Sequence, residues 1–344
     1  MQYSVVIAGG GPAGLSCAKV LAENGTDVLV LERKSRFGPK VCAGGITWSG
    51  LINTIPGQIE EKRFPTQHVF TRLQHAKVVE KEPIIATVSR EKLGQHMAQL
   101  ATKSGAVLKA SCQIIKIKKH SLIYLDRLTG EEHKVDFGFL VGADGSSSAV
   151  RRYLKIPTES MGVGINYQVP RHANEMEWHL DNRFFGNGYG WIFPHTDSVS
   201  IGAYADRKTM PAQKLKSGLI DWARTRGYRL DRHWARAEYI NFDYRGWDFG
   251  NMFLAGDAAG FASGLTGEGI YPAIVSGEYI GRQLASIEGN DKNFHKLVRV
   301  QKIHARALKL TGRNSLLTGL LAESVALALR TGLLDFKNLE MGNR

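Results

Sequence analysis

The chain predicts an α/β fold: a mostly parallel sheet wound with helices and interrupted by an inserted antiparallel sheet. Three observations predict it. Residues 5–14, VVIAGGGPAG, run from an apolar strand into closely spaced glycines and then an alanine-rich helix. Two later stretches, around GADG at 142–145 and AGDAAG at 255–260, repeat the order of apolar strand, Gly-Asp turn and helix. Between them, from roughly 160 to 244, the texture changes to aromatic-rich alternation, the period-two signature of strands.

The first stretch has the spacing and context of a Rossmann-like dinucleotide-binding turn. Gly9 permits the tight turn, Gly11 has no side chain to hold a pyrophosphate off the backbone, and Gly14 lets the helix lie close to the strand. Pro12 and Ala13 complete the turn, and the helix amino terminus behind them faces phosphates. A second strand, 27–31, ends at Glu32, eighteen residues beyond Gly14, where a carboxylate accepts hydrogen bonds from ribose hydroxyls. Arg33 follows directly and opens a Gly- and Pro-containing loop, 33–47, too long for a simple connection.

Short strand-like runs follow at 65–89, then a helix over 90–104 closed by Gly105. Three more strands, QIIKIKK, SLIYLD and HKVDFGFLVG, lead into the Gly-Asp turn at 142–145. A helical segment at 211–226 interrupts the aromatic alternation. This order predicts a discontinuous nucleotide-binding domain (1–62, 83–158 and 245–290), a substrate domain (63–82 and 159–244) and a C-terminal helical region (291–344). Residues 316–334 are apolar except for Glu323, Arg330 and a few small polar residues. The favoured reading is a helix packed on the body, the other an interfacial membrane helix.

At 344 residues the chain can bury a large core, which excludes a disordered protein. Lys and Arg outnumber Asp and Glu by 45 to 32, so the surface favours anionic partners: cofactor phosphates, lipid headgroups or an acidic electron-transfer protein. Nucleic acid is not expected, because zinc-finger spacing and RNA-recognition signatures are missing from the sequence. Cys17, Cys42 and Cys112 form no disulfide framework and predict a reducing, cytoplasmic setting. The chain begins directly with a strand, so no signal peptide is expected. No metal is expected either, since the eleven histidines lack ligand spacing.

GGGPAG, GADG and AGDAAG, in this order and spacing, resemble the FAD-binding signature of the flavoprotein family that includes p-hydroxybenzoate hydroxylase. The resemblance implies FAD as cofactor. It places Gly256 and Asp257 at the ribityl chain and pyrophosphate, Asp144 and Gly145 at the turn beside the cofactor, and Arg90 at a helix start near it. Within that superfamily, PKVCAGGIT and YGWIFP resemble geranylgeranyl reductases, which saturate isoprenoid double bonds. Lys40, Cys42, Ala43, Gly44 and Gly45 are similar to the cysteine-glycine loop that these enzymes place near the flavin ring. Tyr189, Trp191, Phe193 and Pro194 match the Y-x-W-x-F-P core of their substrate-side strand, with Gly186 standing where that motif usually opens on proline. GLTGEGI, with Gly267, Gly269 and Ile270, fits their flavin-contacting loop, and the likeness spans roughly residues 1–290.

The implied activity is reduction of carbon–carbon double bonds in an isoprenoid or lipid-like, apolar substrate by hydride from N5 of the reduced flavin. An accompanying proton is required, and the candidates are Cys42, Tyr189 and a bound water. Cys42, beside Lys40 and glycines, reads either as an accessible thiol or as a small buried apolar residue. Trp191 and Phe193 share one face with Tyr189 by period two, as the wall of an apolar channel or as sheet core. Cys17 and Cys112 read as core, and His195 is the only histidine adjacent in sequence to the pocket motif. The sequence carries no second glycine pattern of the first kind, so the electron donor is expected to dock transiently as NAD(P)H or reduced ferredoxin. The alternatives are an aromatic monooxygenase, a halogenase-like enzyme and a non-catalytic electron-transfer or lipid-binding flavoprotein.

Overall fold

The computed structural model describes residues 1–48, 50, 51, 57, 59–289, 291–311, 314–339 and 341; the rest of the 291–344 region lies outside the described residues. Its central sheet is ordered Val107–Lys109, Val28–Leu31, Gln2–Ala8, Glu132–Gly142, Ser121–Asp126 and Cys112–Ile117. Met252–Leu254 adds in parallel beside the end of the long 132–142 strand. The first four strands run parallel, and the last two fold back antiparallel. Every residue from Val5 to Ala8 and from Val28 to Leu31 is buried, as expected for strands covered on both faces.

The Pro12–Glu23 helix starts immediately after the opening strand and packs against the Ile270–Leu284 helix. Glycine makes that approach possible: a Cβ on Gly277 would lie 2.1 Å from the Ala13 carbonyl oxygen. The predicted 90–104 helix is Arg90–Lys103, capped by Ser89, whose hydroxyl accepts from the Lys92 N–H.

The loop expected across 33–47 ends in a strand. Gly45–Thr47 pairs antiparallel with Ile85–Val88, which also pairs with Glu60–Phe64. Ile46 and Thr47 are β-branched and buried there, so the segment gains a ladder where sequence spacing suggested an irregular connection.

The second seven-stranded sheet is ordered Arg236–Asn241, Met161–Val169, Val199–Asp206, Tyr189–Pro194, Met176–His179, Thr66–Phe70 and His75–Val79. All neighbours are antiparallel except 176–179 with 66–70. The Ala212–Thr225 helix covers one face through Leu215, Leu219 and Trp222. Strand alternation sends Ile192 to that side and Trp191 and Phe193 to the other.

Two helices, Lys292–Thr311 and Ser315–Arg330, and a short 3-10 turn, Phe336–Leu339, close the chain. The body-packed reading of the 316–334 stretch holds for one face. Ala326 and Leu329 are buried, whereas Leu316 and Leu320 are 79% and 67% exposed. Among the described residues no helix is long and apolar enough to cross a membrane.

Candidate active site

One cavity of about 600 Å³ runs from the dinucleotide turn to the aromatic face of the inserted sheet. At its first end are Gly9, Gly11, Pro12 and Ala13, with Glu32 and Arg33 beside them. Glu32 is held by the main chain, accepting from the N–H of Gly10 at 2.8 Å and of Lys34 at 2.9 Å. Gly14 does not border the cavity; a Cβ there would lie 2.0 Å from the Gly9 carbonyl oxygen, so its role is to seat the helix.

The second and third glycine-aspartate turns meet at the middle. Asp144 caps the Ala149–Tyr153 helix by accepting from the Ala149 N–H at 2.6 Å, and burial pushes its carboxyl above the usual range. Gly145 supplies the left-handed turn, φ +79°. Asp257 accepts from Lys40 Nζ at 2.9 Å and from Ser146 Oγ at 3.2 Å, so the third motif is tied to both the cysteine loop and the second motif. Burial works to lower the Lys40 pKa, but the charge and hydrogen bond of Asp257 outweigh it and raise it. Gly256 lies behind the wall, where its N–H donates to Ser276. Arg151, missed by sequence reasoning, is buried and donates to the carbonyls of Pro157, Asp243 and Ala258, locking these turns together.

Cys42 and Ala43 border the next section of the cavity, and Gly44 sits just behind them. A side-chain relay holds this loop: Trp191 Nε1 donates to Ser200, Ser200 to Asn166, and Asn166 to the Cys42 carbonyl, at 2.9, 2.7 and 3.1 Å. His195 braces it from the other side, with Nε2 at 2.9 Å from the Ala43 carbonyl and Nδ1 at 2.6 Å from Glu61. Gly44 has φ +84°, and a Cβ there would strike the His195 ring at 2.4 Å. The Gly44 N–H donates to the Cys42 sulfur at 3.4 Å.

The far end is aromatic. Tyr189, Trp191 and Phe193 all line the cavity, together with Trp178 and Phe336, which sequence reasoning did not single out. Trp178 stacks edge-on to Phe193 with centroids 4.7 Å apart, and its alternating position in the 176–179 strand was the available signal. The Tyr189 hydroxyl donates to the Thr266 carbonyl, and burial pushes its pKa up, so its proton is already committed. Gly267, Gly269 and Ile270 close the ring at the start of the 270–284 helix. Cys17 is buried in the core away from the cavity, whereas Cys112, also buried, borders it.

Two observations test whether FAD fits these residues. A Cβ on Gly11 meets no atom within 4 Å, although Gly11 heads the Pro12–Glu23 helix and borders the cavity. That open, uncapped helix start suits a diphosphate. Arg90 borders the same space with its Nη1 buried and unpartnered, a donor that an acceptor-rich cofactor would satisfy. The residues fit.

A family model described as FAD binding domain matches residues 2–293. The chain belongs to this FAD-binding domain family. It is 28% identical to the geranylgeranyl diphosphate reductase of Rhodobacter capsulatus, over 81% of this chain and 74% of that one. It is 27% identical to digeranylgeranylglycerophospholipid reductase 2 of Methanosphaera stadtmanae, over 82% and 77%. Among solved structures, a geranylgeranyl bacteriochlorophyll reductase-like protein from Thermoplasma acidophilum superposes with a TM-score of 0.75 at 19% identity, covering 96% of this chain and 90% of that one. This member of the FAD-binding domain family is an FAD-dependent oxidoreductase. Gly9, Gly11, Pro12, Ala13, Glu32, Arg90 and Asp257 are the residues that would hold FAD.

Proposed function

We propose that this flavoenzyme saturates carbon–carbon double bonds of an isoprenoid or similar lipid-like substrate. The observation that carries the proposal is the continuity of one cavity from the Gly11 cradle to the face bearing Tyr189, Trp191, Phe193 and Trp178. Bound and reduced, FAD supplies a hydride. Trp191, fixed by Ser200, orients an apolar chain against the cysteine loop, and Val325, Leu329 and Phe336 of the C-terminal region exclude water above it. Names of the two reductase relatives support a prenyl substrate. The two electrons come from NAD(P)H or reduced ferredoxin, the latter favoured electrostatically by the excess of basic residues.

The test is to reduce the purified holoprotein anaerobically with geranylgeranyl diphosphate or digeranylgeranyl lipid and weigh the products. A gain of about two mass units per double bond reduced is expected from addition of H₂. Unchanged masses for both probes overturn the proposal, and oxygen consumption with a hydroxylated product reassigns the enzyme to monooxygenation.

The same reading extends to a lipid surface on the cytoplasmic side of a membrane. Leu316 and Leu320 project into solvent from the helix whose Leu321, Val325 and Leu329 line the cavity, and the preceding helix exposes Lys302, Arg306 and Lys309. Exposed leucines beside a basic helix suit an anionic bilayer. Cosedimentation with vesicles containing anionic phospholipid should fall several-fold in a Leu316→Glu, Leu320→Glu variant; equal binding of both proteins removes the membrane from the proposal.

A further inference from the structure

Glu268 carries a buried carboxyl oxygen and has no charged partner among the described residues. It sits in the 264–270 loop and borders the cavity. Its Oε2 accepts from the Met341 N–H at 2.8 Å, while its Oε1 is buried with no hydrogen-bond partner. No salt bridge reaches it among the described residues. A buried oxygen left unmatched in this way is a costly arrangement for a purely structural side chain.

The loop is built rigidly. Ser263 Oγ accepts from the N–H groups of Leu265 and Thr266, the Ser263 N–H donates to the Glu268 carbonyl, and the Tyr189 hydroxyl pins Thr266 from across the cavity. Gly267 takes the left-handed turn, φ +67°. Burial, and with it the Glu268 charge, raises the pKa of the phenols of Tyr189 from the inserted sheet and Tyr271 from the following helix, and the Met341 main chain donates to the Glu268 Oε2. Lys40 is engaged by Asp257, and His304, bonded to Ser263, is kept neutral by burial that lowers its pKa to about 4.

We infer that Glu268 is the acid that protonates the substrate during double-bond reduction, an inference that rests on the function proposed above. One alkene carbon receives the hydride, and its neighbour receives the Glu268 proton. The π bond, the carboxyl O–H bond and the N–H bond of the reduced flavin that gives up the hydride break, and two C–H bonds form. The carboxylate left behind regains a proton from water, and the two electrons are restored by the nicotinamide or iron–sulfur donor. Burial holds the carboxyl pKa up at about 7, so the acid form is present at neutral pH.

The experiment uses flavin-loaded full-length protein with geranylgeranyl diphosphate and digeranylgeranyl lipid as probes, in wild type, Glu268→Gln and Glu268→Asp. Wild-type turnover should fall as pH rises through about 7, because the protonated form is the donor. Glu268→Gln should lose about 100-fold or more in double-bond reduction and lack that pH limb, with flavin uptake and flavin reduction unchanged. Glu268→Asp should keep the limb and part of the rate. In the flavin-free protein, infrared difference titration should show a protonated carboxyl that ionises near pH 7 in wild type and is missing in Glu268→Gln. Wild-type turnover retained in Glu268→Gln, or a wild-type carboxyl already ionised well below neutrality, overturns the inference alone. Wild-type inactivity on both probes overturns the function on which it rests.

Discussion

Gly11→Val is expected to give a folded protein that emerges colourless. Nothing lies within 4 Å of a Cβ at Gly11, so the protein itself offers no clash, and the backbone there is extended with φ −82°. The added side chain instead occupies the space in front of the Pro12–Glu23 helix, where the cofactor diphosphate is to lie. A loss of at least about 100-fold in FAD affinity, roughly 3 kcal/mol, should appear in a flavin titration, with the flavin-free melting temperature close to wild type. Gly14→Ala should behave in the opposite way. Its Cβ would be forced to 2.0 Å from the Gly9 carbonyl oxygen, a main-chain atom that cannot rotate aside. Overpacking of this kind costs about 3 kcal/mol and shows as a lower denaturation midpoint in the flavin-free protein. Equal stability of the two variants would contradict the division of labour between these glycines.

Asp257→Ala is expected to loosen the junction of three separated segments at once. The carboxylate is 9% exposed and receives Lys40, so its removal strands a cation, whereas Ser146 keeps the Tyr239 carbonyl as an acceptor at 2.7 Å. Breaking a fully buried pair costs about 3–5 kcal/mol, but the Lys40 side chain is 33% exposed and recovers some hydration, which brings the expected loss to about 2 kcal/mol. A double-mutant cycle with Lys40→Ala should return a coupling of about 1 kcal/mol or more. The pH dependence has a definite sign. The Lys40 pKa is raised above its ordinary 10.5, so folding favours the ammonium. The stabilisation is therefore complete below 10.5 and is lost as pH rises through the higher folded value. Asp257→Ala should lack this alkaline decline in urea midpoints, and its persistence would place its origin elsewhere.

These two sites show why some of the molecule was readable and some was not. Gly9, Gly11 and Gly14 act over a single turn, so spacing alone carries their geometry. The alternation of Tyr189, Trp191 and Phe193 is likewise local, and it places all three on the cavity face. By contrast, Lys40 meets Asp257 across 217 positions, and Asn166 reaches the Cys42 carbonyl across 124. Neither separation has a periodic signal. Gly45–Thr47 carries no strand signal in the sequence because a three-residue strand is shorter than any hydrophobic period can reveal.

Local chemistry written into the chain set the dinucleotide turn, the α/β order of elements and the aromatic stripe, because each depends on neighbours within a few residues. The folded molecule alone settled what those pieces surround. Tyr189 spends its hydroxyl on Thr266, the cysteine loop hangs from Asn166 and His195, and Glu268 keeps a bare oxygen beneath the C-terminal turn. Burial and hydrogen-bond competition depend on atoms contributed by distant segments, and only closure of the cavity brings those atoms within reach of one another.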